Sequence, residues 1–343
     1  MRGATPGQPA NRPHQPNPLP LQKHPQKKLK RPSKRPPPHP RKKTPPHADA
    51  PSIASRNSGL SNLPNRFQQT ITEPAEISGK GLHSGLAATL RFLPAPAGQG
   101  VVFRRIDLPG APEIPARSEN LVHTDLMRHT TLAAGEARVF TIEHLMAATA
   151  ALGIDNLIVE IDTEEPPFLD GSSLPFVELL TRAGIKVLEA PTTPLVVSRP
   201  LAFRDGDAEI TALPSDDFRV TFFYSSDEPL LPNQQGDFVI TPETFTREIA
   251  PARTFCFFHE IEQLRARGLI RGGNLSSSVV IGRKAIINLS LRFEDEPVRH
   301  KILDFIGDIA LLGRPLQGHF MASKSGHRVH AAFCNFLRKE LES

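Results

Sequence analysis

The order of predicted strands and helices limits the fold of this chain more than any other feature. The first half predicts strands within 68–130, a helix at 141–152, a strand at 156–162 and a helix at 175–183 that Ser173 caps. The second half restarts near 191–194, with strands within 194–242 and helices at 257–267, 297–312 and 329–341. Strands followed by helices in each half favour an α+β fold of two similar layers over a parallel βαβ fold.

The first 66 residues differ sharply in composition from the remainder. They contain 14 Lys and Arg residues against one acidic residue, Asp49, together with 16 of the 35 prolines and no aromatic residue. Such a segment cannot bury enough apolar surface to offset the entropy of ordering it, so we expect residues 1–66 to be a disordered basic extension. The folded part is then predicted to comprise an N-terminal α+β domain over 67–190 and a C-terminal one over 194–343.

Several protein classes are disfavoured by composition. No apolar run approaches the 18 residues that a membrane-spanning helix needs, and the N-terminus lacks the apolar core of a secretory signal peptide. Two cysteines, Cys256 and Cys334, are too few for a disulfide scaffold, so we expect a reduced, cytoplasmic compartment. We also expect a monomer.

The run PVRHKILDFIGDIALLG at 297–313 is the most informative stretch of the sequence. Its apolar residues repeat at spacings of three and four, which predicts a helix with one face in the core. His300, Asp304 and Asp308 lie on the opposite side, with Gly307 beside them leaving room for a close approach. His and Asp four residues apart can place a nitrogen and a carboxylate oxygen on one metal ion. The alternative is a solvated face, although such faces usually favour Lys and Glu.

A second motif, TIEHLMAA at 141–148, places Glu143 beside His144 near a helix start. Alone it is typical of a buried or capping histidine with a glutamate that the helix dipole favours. Together with His300 and Asp304, however, His144 completes a set of two histidines and one carboxylate, which is typical of catalytic zinc. Glu143 is then the natural base for the attacking water.

A third motif, SKSGHRVH at 323–330, contains a glycine that predicts a turn presenting His327. His327 could serve as a general acid, kept protonated by a nearby Asp308. His319 and His330 compete for that role on composition alone, and a surface-loop histidine is the ordinary alternative.

The fourth motif, ARTFCF at 252–257, offers one hydroxyl between aromatic residues. Thr254 could donate a hydrogen bond to an oxyanion, and Phe255 and Phe257 could form apolar walls. The alternative is a strand whose phenylalanines alternate into the core.

Taken together, these motifs resemble one family, the UDP-3-O-acyl-N-acetylglucosamine deacetylases (the LpxC family), from about residue 68 to residue 343. The motifs that carry the resemblance are GLHSG, TIEHLMAA, GIDNLIVEID, FLDGSS, ARTFCF, RGLIRGGNL, LRFEDEPVRHKILDFIGD and SKSGH. It implies two α+β domains whose helices pack between two outer sheets, and a zinc-dependent removal of an N-acetyl group in lipid A biosynthesis. It further implies an apolar passage for the acyl chain within 261–282.

The resemblance also implies the roles of individual residues. Zn2+ would be held by His144, His300 and Asp304. Glu143 matches the general base, His327 the general acid, Asp308 its supporting carboxylate, and Thr254 the oxyanion donor. Lys301, Lys324 and Phe255 match substrate-contacting residues. The contact to uracil is left open among Phe222, Phe223 and Tyr224, and Ser290 stands where a glycine is expected.

Other functions stay open at this point. A zinc peptidase or a different amidase would share the metal and proton-transfer residues. The basic extension could contact anionic membrane or, without sequence specificity, nucleic acid. An inactive relative is disfavoured because the full set of proton-transfer and metal-binding residues is present.

Overall fold

The computed structural model describes residues 66–124, 128–288 and 290–341. The predicted disorder of the basic extension therefore falls almost wholly outside the described residues. From residue 66 onward the described chain forms one compact unit. The division into domains at 190–194 stays a prediction.

The first half builds a five-stranded sheet in the order β2-β3-β8-β4-β5, in which only the β4–β8 pair is parallel. Two further antiparallel pairs, β1–β9 and β6–β7, complete its strands. The elements are β1 (Phe67–Ile71), β2 (Ala75–Lys80), β3 (Ala87–Pro94), β4 (Val101–Arg105), β5 (Glu113–Pro115), β6 (Thr131–Ala134), β7 (Ala137–Phe140), α1 (Glu143–Ala151), β8 (Leu157–Ile161), α2 (Leu174–Arg182) and β9 (Ile185–Pro191).

The second half builds a sheet in the order β11-β12-β17-β13-β14, with β10 added beside β17. Its elements are β10 (Leu195–Val196), β11 (Leu201–Asp205), β12 (Ala208–Leu213), β13 (Phe218–Tyr224), β14 (Gln234–Val239), α3 (Pro242–Thr244), β15 (Phe255–Phe257), α4 (Ile261–Ala266), β16 (Val279–Ile281), α5 (Glu296–Ile309), β17 (Leu316–Ser323) and α6 (His327–Leu341). One turn of π-helix covers Phe245–Ile249.

The two large sheets have the same topology. In each, the strand that comes last in the chain enters the centre of the sheet: β8 is antiparallel to β3 and parallel to β4, and β17 is antiparallel to β12 and parallel to β13. A helix precedes that central strand and another follows a short way after it: α1 and α2 flank β8, and α5 and α6 flank β17. The predicted α+β class and the similar design of the halves are confirmed.

Helices α1 and α5 pack directly against each other and so link the two sheets. On the side of the first sheet α1 contacts α2, which contacts β2; on the side of the second sheet α5 contacts β13. Gly307 sits at their crossing, where an added Cβ would lie 2.0 Å from the carbonyl oxygen of Glu143. Only glycine therefore permits this separation, as the sequence indicated. One continuous hydrophobic core runs through both halves.

Local details of the prediction need correction. Ser173 does not cap α2, because its hydroxyl donates to the carbonyl oxygen of His144 at 2.7 Å; Ser172 instead accepts from the Leu174 N–H at 3.3 Å. The helix expected at 257–267 is confined to Ile261–Ala266, since β15 and a 3-10 turn occupy its first residues. Helix α6 starts at His327 rather than at 329.

A second, smaller hydrophobic cluster surrounds β15 and β16, which pair in parallel. Its buried members are Leu231, Val279 and Ile281, with Tyr224, Phe255 and Phe257 among the partly buried side chains around them. Within the described ranges, no helix has the length and apolar composition to cross a membrane.

Candidate active site

Two helices bring the predicted ligands together. His144 lies in the first turn of α1, while His300 and Asp304 are one turn apart on α5. All three are buried, and their candidate ligand atoms lie within 4.8 Å of one another. The Oδ1 atom of Asp304 is 3.2 Å from Nε2 of His300 and 3.8 Å from Nε2 of His144. The three residues thus form a cluster of two nitrogens around one carboxylate oxygen.

Hydrogen bonds and burial prepare this cluster for a cation. The Ala252 carbonyl lies 3.0 Å from Nδ1 of His300, so a proton on that nitrogen leaves Nε2 free to face Asp304. Burial, with the neighbouring His300, lowers the pKa of His144 to about 3, so its imidazole is neutral at neutral pH. Neutral imidazoles and an ionised carboxylate are the ligand forms that zinc requires, and this donor set fits it.

The remaining oxygen of Asp304 is held by Lys301. Its ammonium donates to Oδ2 at 2.8 Å, which turns Oδ1 toward the histidines. Burial disfavours the charged forms of both Lys301 and Asp304, but the attraction between the two groups outweighs it. This attraction raises the pKa of Lys301 and, together with His300, lowers the pKa of Asp304. The same ammonium lies 5.7 Å from the centre of the Phe255 ring. Lys301 and Phe255 thus adjoin the ligand cluster.

Glu143 is the first residue of α1, and its side chain is almost fully buried. Its Oε2 atom accepts the backbone N–H of Thr130 at 3.1 Å. Burial raises the pKa of Glu143 to about 7, with His327 opposing that rise and Asp308 and Asp304 adding to it. The carboxyl group is therefore poised to change its protonation state near neutral pH.

The turn into α1 is built around a second buried carboxylate. Thr141 adopts a φ of 58° and donates to Oε1 of Glu165 at 3.1 Å. The same carboxylate accepts the backbone N–H groups of His83 and Ser84, each at 2.8 Å. Glu165 thus fixes both the GLHSG turn and the strained residue from which the chain enters Glu143, which gives that turn a structural role.

On the other side of Glu143, Asp308 supports His327. The Nδ1 atom of His327 lies 2.8 Å from Oδ2 of Asp308, and both side chains are buried. Burial disfavours the imidazolium, but the charge and hydrogen bond of Asp308 outweigh it and raise the pKa of His327 to about 9. With Nδ1–H directed at Asp308, the second proton of the imidazolium is on Nε2.

The sequence interpretation of function missed Thr130 altogether, and it did not predict the contact that His330 makes. The Thr130 hydroxyl donates to Oδ1 of Asp308, so one threonine contacts both Glu143 and Asp308. His330, a rival of His327 by composition, is fully buried and directs Nδ1 at Oδ2 of Asp308 at 2.7 Å. Its Nε2 lies 2.9 Å from the Ser325 hydroxyl, in the turn that carries His327. Neither position has a local pattern that reveals the contact.

The competing histidines are now separated. His319 bonds to the Thr221 hydroxyl at 2.7 Å and is not among the partners of Asp308. His330 has both ring nitrogens engaged, which leaves His327 as the histidine of this group placed to exchange a proton.

Thr254 follows a segment that is anchored to α5. Arg253 donates from its backbone N–H and Nε to Oε1 of the buried Glu296, at 2.9 and 2.8 Å, in the first turn of α5. Ala252 contacts His300, and the ring of Phe255 lies 6.5 Å from the His300 ring. Thr254 is therefore held between two residues that contact a predicted ligand.

Lys324 lies apart from these contacts. It adopts a φ of 51° in the turn between β17 and α6, and its half-exposed ammonium is 3.9 Å from Oδ2 of Asp207. Of the three aromatic candidates on β13, Phe222 is buried against His330, whereas Tyr224 packs edge-on against Phe255 at 5.5 Å. The substrate-binding roles of these residues stay predictions.

The buried carboxyl group of Glu143 and the imidazole of His327 are proton-transfer groups, and Thr130 links them by its contacts with Glu143 and Asp308. The fold and the site together define an α+β enzyme.

Residues 68–339 match the family described as LpxC, UDP-3-O-acyl N-acetylglycosamine deacetylase. A UDP-3-O-acyl-N-acetylglucosamine deacetylase from Citrifermentans bemidjiense is 46% identical over 274 residues, covering 80% of this chain and 89% of that protein.

Other relatives carry the same name. The protein from Myxococcus xanthus is 45% identical, with 77% of this chain and 83% of the relative covered. The one from Cellvibrio japonicus is 44% identical, with 80% and 91% covered. The chain belongs to the LpxC deacetylase family, and the resemblance drawn from the motifs is confirmed.

Proposed function

We propose that this chain is a zinc-dependent deacetylase that removes the N-acetyl group from UDP-3-O-(3-hydroxyacyl)-N-acetylglucosamine. The products are acetate and a free glucosamine amine, in a step of lipid A biosynthesis. The observation that carries the proposal is the joined network in which Thr130 contacts Glu143 and Asp308 beside the His144–His300–Asp304 cluster. Family membership supports the substrate class.

The metal would be held by His144, His300 and Asp304. Two nitrogens and one oxygen with no sulfur leave an open position, the pattern of a catalytic rather than a structural zinc site. When bound, zinc supplies a Lewis acid for the acetamide carbonyl and for the attacking water. The cation would also favour the ionised form of Glu143, offsetting the burial that raises the pKa of this carboxyl group.

Glu143 and His327 would divide the proton transfers. Glu143 accepts a proton from the attacking water, which requires the carboxylate form. His327 donates the proton on Nε2 to the leaving amine, which requires the imidazolium form. A pKa raised to about 9 keeps His327 protonated through neutral pH, and the Asp308 contact orients its ring. The Thr254 hydroxyl would stabilise the oxyanion.

Substrate contacts would lie around the same cluster. Lys301 and Phe255 adjoin the metal ligands, and we assign the sugar and diphosphate to contacts with Lys301 here and with Lys324 in the turn between β17 and α6. The apolar cluster around β15 and β16 would receive the fatty-acyl chain, because it is separate from the main core and includes Phe255. We further propose that the enzyme acts as a cytoplasmic monomer; both cysteines are free thiols.

The proposal is tested by measuring acetate release from the UDP-linked, 3-O-acylated substrate. Glu143→Gln should lower kcat by about 10²–10⁴-fold, the usual range for a positioned base. Glu136→Gln is the matched control, since Glu136 is exposed in the β6–β7 turn, and its activity should equal that of wild type. Wild-type protein with zinc that releases no acetate, or an active Glu143→Gln variant, would rule the proposal out.

A further inference from the structure

The segment 258–288, which contributes Val279, Ile281 and Ile286 to the smaller apolar cluster, exposes large apolar side chains to solvent. Phe258 is 60% exposed, Leu275 53% and Ile287 42%. Leu275 and Ile287 are held near each other, because the Asn288 side-chain amide donates to the Leu275 carbonyl at 2.5 Å. The backbone N–H of Ile287 in turn bonds to Val280 of β16 at 2.9 Å. Hydrogen bonds therefore hold the backbone that carries Leu275 and Ile287.

A fourth exposed side chain joins them from the first half. Leu86, 61% exposed, follows the Gly81–Gly85 turn. That turn packs on the segment: Gly272 donates to the Leu82 carbonyl at 2.9 Å, and a Cβ on Gly85 would lie 3.1 Å from that of Arg271. Leu86 thus borders the 258–288 segment.

The same segment has a charge opposite to that of the remaining body. Residues 258–288 hold five basic residues and two acidic residues, whereas the rest of 67–343 holds 22 basic and 33 acidic residues. All five cations are exposed, and none forms an ion pair with another described residue. They are Arg265, Arg267, Arg271, Arg283 and Lys284.

We propose that the 258–288 segment with Leu86 is a docking surface for an anionic lipid bilayer. Exposed Phe, Leu and Ile side chains alternate along the segment with exposed Arg and Lys, the combination that places apolar groups in the headgroup region and cations beside lipid phosphates. Each cation near an anionic surface strengthens binding, whereas the acidic remainder of the body would be repelled. The proposal stands on this surface and does not require the proposed substrate.

The absence of tryptophan from the chain makes a direct test possible. Phe258→Trp in the full-length protein introduces a single reporter into the surface. On phosphatidylglycerol vesicles its emission should move to shorter wavelength and become shielded from an aqueous quencher, with no change on phosphatidylcholine vesicles. Val239→Trp is the control, because Val239 is exposed at the end of β14 farthest from Tyr224 and the smaller cluster.

This design distinguishes vesicle binding by the docking surface from vesicle binding by the basic extension. Protein that sediments with anionic vesicles while the Phe258→Trp emission is unchanged would show that the extension alone binds, and would overturn the proposal. Equal changes at both reporters, or no sedimentation, would overturn it as well. Turnover is measured separately, so loss of deacetylase activity leaves this test unaffected.

Charge removal gives a second readout. The Arg283→Gln/Lys284→Gln double variant should bind these vesicles roughly 25-fold more weakly, from about fivefold per cation at the surface. An Arg182→Gln/Lys186→Gln variant removes two exposed cations at the end of α2 and the start of β9, and its binding should match wild type. Equal weakening in both double variants would contradict a localised surface.

Discussion

Asp308→Asn should move the alkaline limb of the pH profile to lower pH. In the protein the pKa of His327 is raised from 6.5 to about 9, even though burial of the imidazolium opposes the rise, and Asp308 is the main cause. At about 1.4 kcal/mol per pKa unit, this net rise corresponds to roughly 3 kcal/mol in favour of the imidazolium. The neutral amide of Asn preserves the shape of the site but removes the charge.

The sign follows from the role of His327 as an acid. Activity requires the imidazolium, so kcat/KM falls as pH rises through the pKa of this group. Returning that pKa to about 6.5 would lower the protonated fraction at about pH 8 from roughly 0.9 to roughly 0.03, a ~30-fold loss from ionisation alone. A cation at the His144–His300–Asp304 cluster lowers the limb in both proteins, so the displacement between them is the quantity to compare.

The assay is kcat/KM from about pH 5 to 10 for wild type and Asp308→Asn. Asp237→Asn serves as the control, because Asp237 pairs with Arg219 on the surface of the second sheet, and its limb should coincide with wild type. Thermal unfolding of each variant verifies that it is folded. An Asp308→Asn limb that is unmoved, or displaced to higher pH, would refute His327 as an acid supported by Asp308.

Three further predictions follow from the packing and the network. Gly307→Ala should destabilise the fold by about 3 kcal/mol, because its Cβ would overlap the Glu143 carbonyl; Gly326→Ala, with open space around it, should leave the unfolding temperature unchanged. Thr130→Val removes the hydroxyl that donates to Asp308, and an unsatisfied buried group costs about 1–3 kcal/mol. Because Asp308 supports the general acid His327, kcat should fall by about 10-fold or more while the protein stays folded. Removing residues 1–65 should leave turnover of dispersed substrate unchanged; a large loss would assign the basic extension to the catalytic unit.

Local patterns predicted the elements that carry the chemistry. The apolar spacing in 297–313 predicted α5, and the polar side opposite it contains the buried His300, Asp304 and Asp308. Gly307 among them indicated a close contact, which the crossing with α1 provides. Because helical periodicity is fixed by backbone geometry, one stretch of sequence is enough to establish such a face.

Contacts between segments distant in the chain could not be predicted from the sequence. Thr130 meets Asp308 across 178 residues, and nothing near Thr130 signals that contact. Serine is a residue type that commonly caps helices, yet in the folded protein the Ser173 hydroxyl donates to the carbonyl oxygen of His144 instead. The central positions of β8 and β17 likewise depend on pairing between distant strands.

The family resemblance supplied the roles of the residues, whereas the helical pattern alone left a solvated face as an alternative to a metal site. Burial of all three candidate ligands removes that alternative, because a solvated face would leave His300 and Asp304 exposed.

We propose that His144, His300 and Asp304 hold one catalytic zinc ion. Elemental analysis of purified wild-type protein, joined to the acetate-release assay, should give about one zinc per chain, with activity lost on chelation and restored by zinc. Asp304→Ala should lose metal and activity together, whereas Asp308→Asn should retain full zinc while its pH profile changes. Full zinc occupancy in Asp304→Ala, or wild-type activity that persists without metal, would contradict the assignment of these ligands.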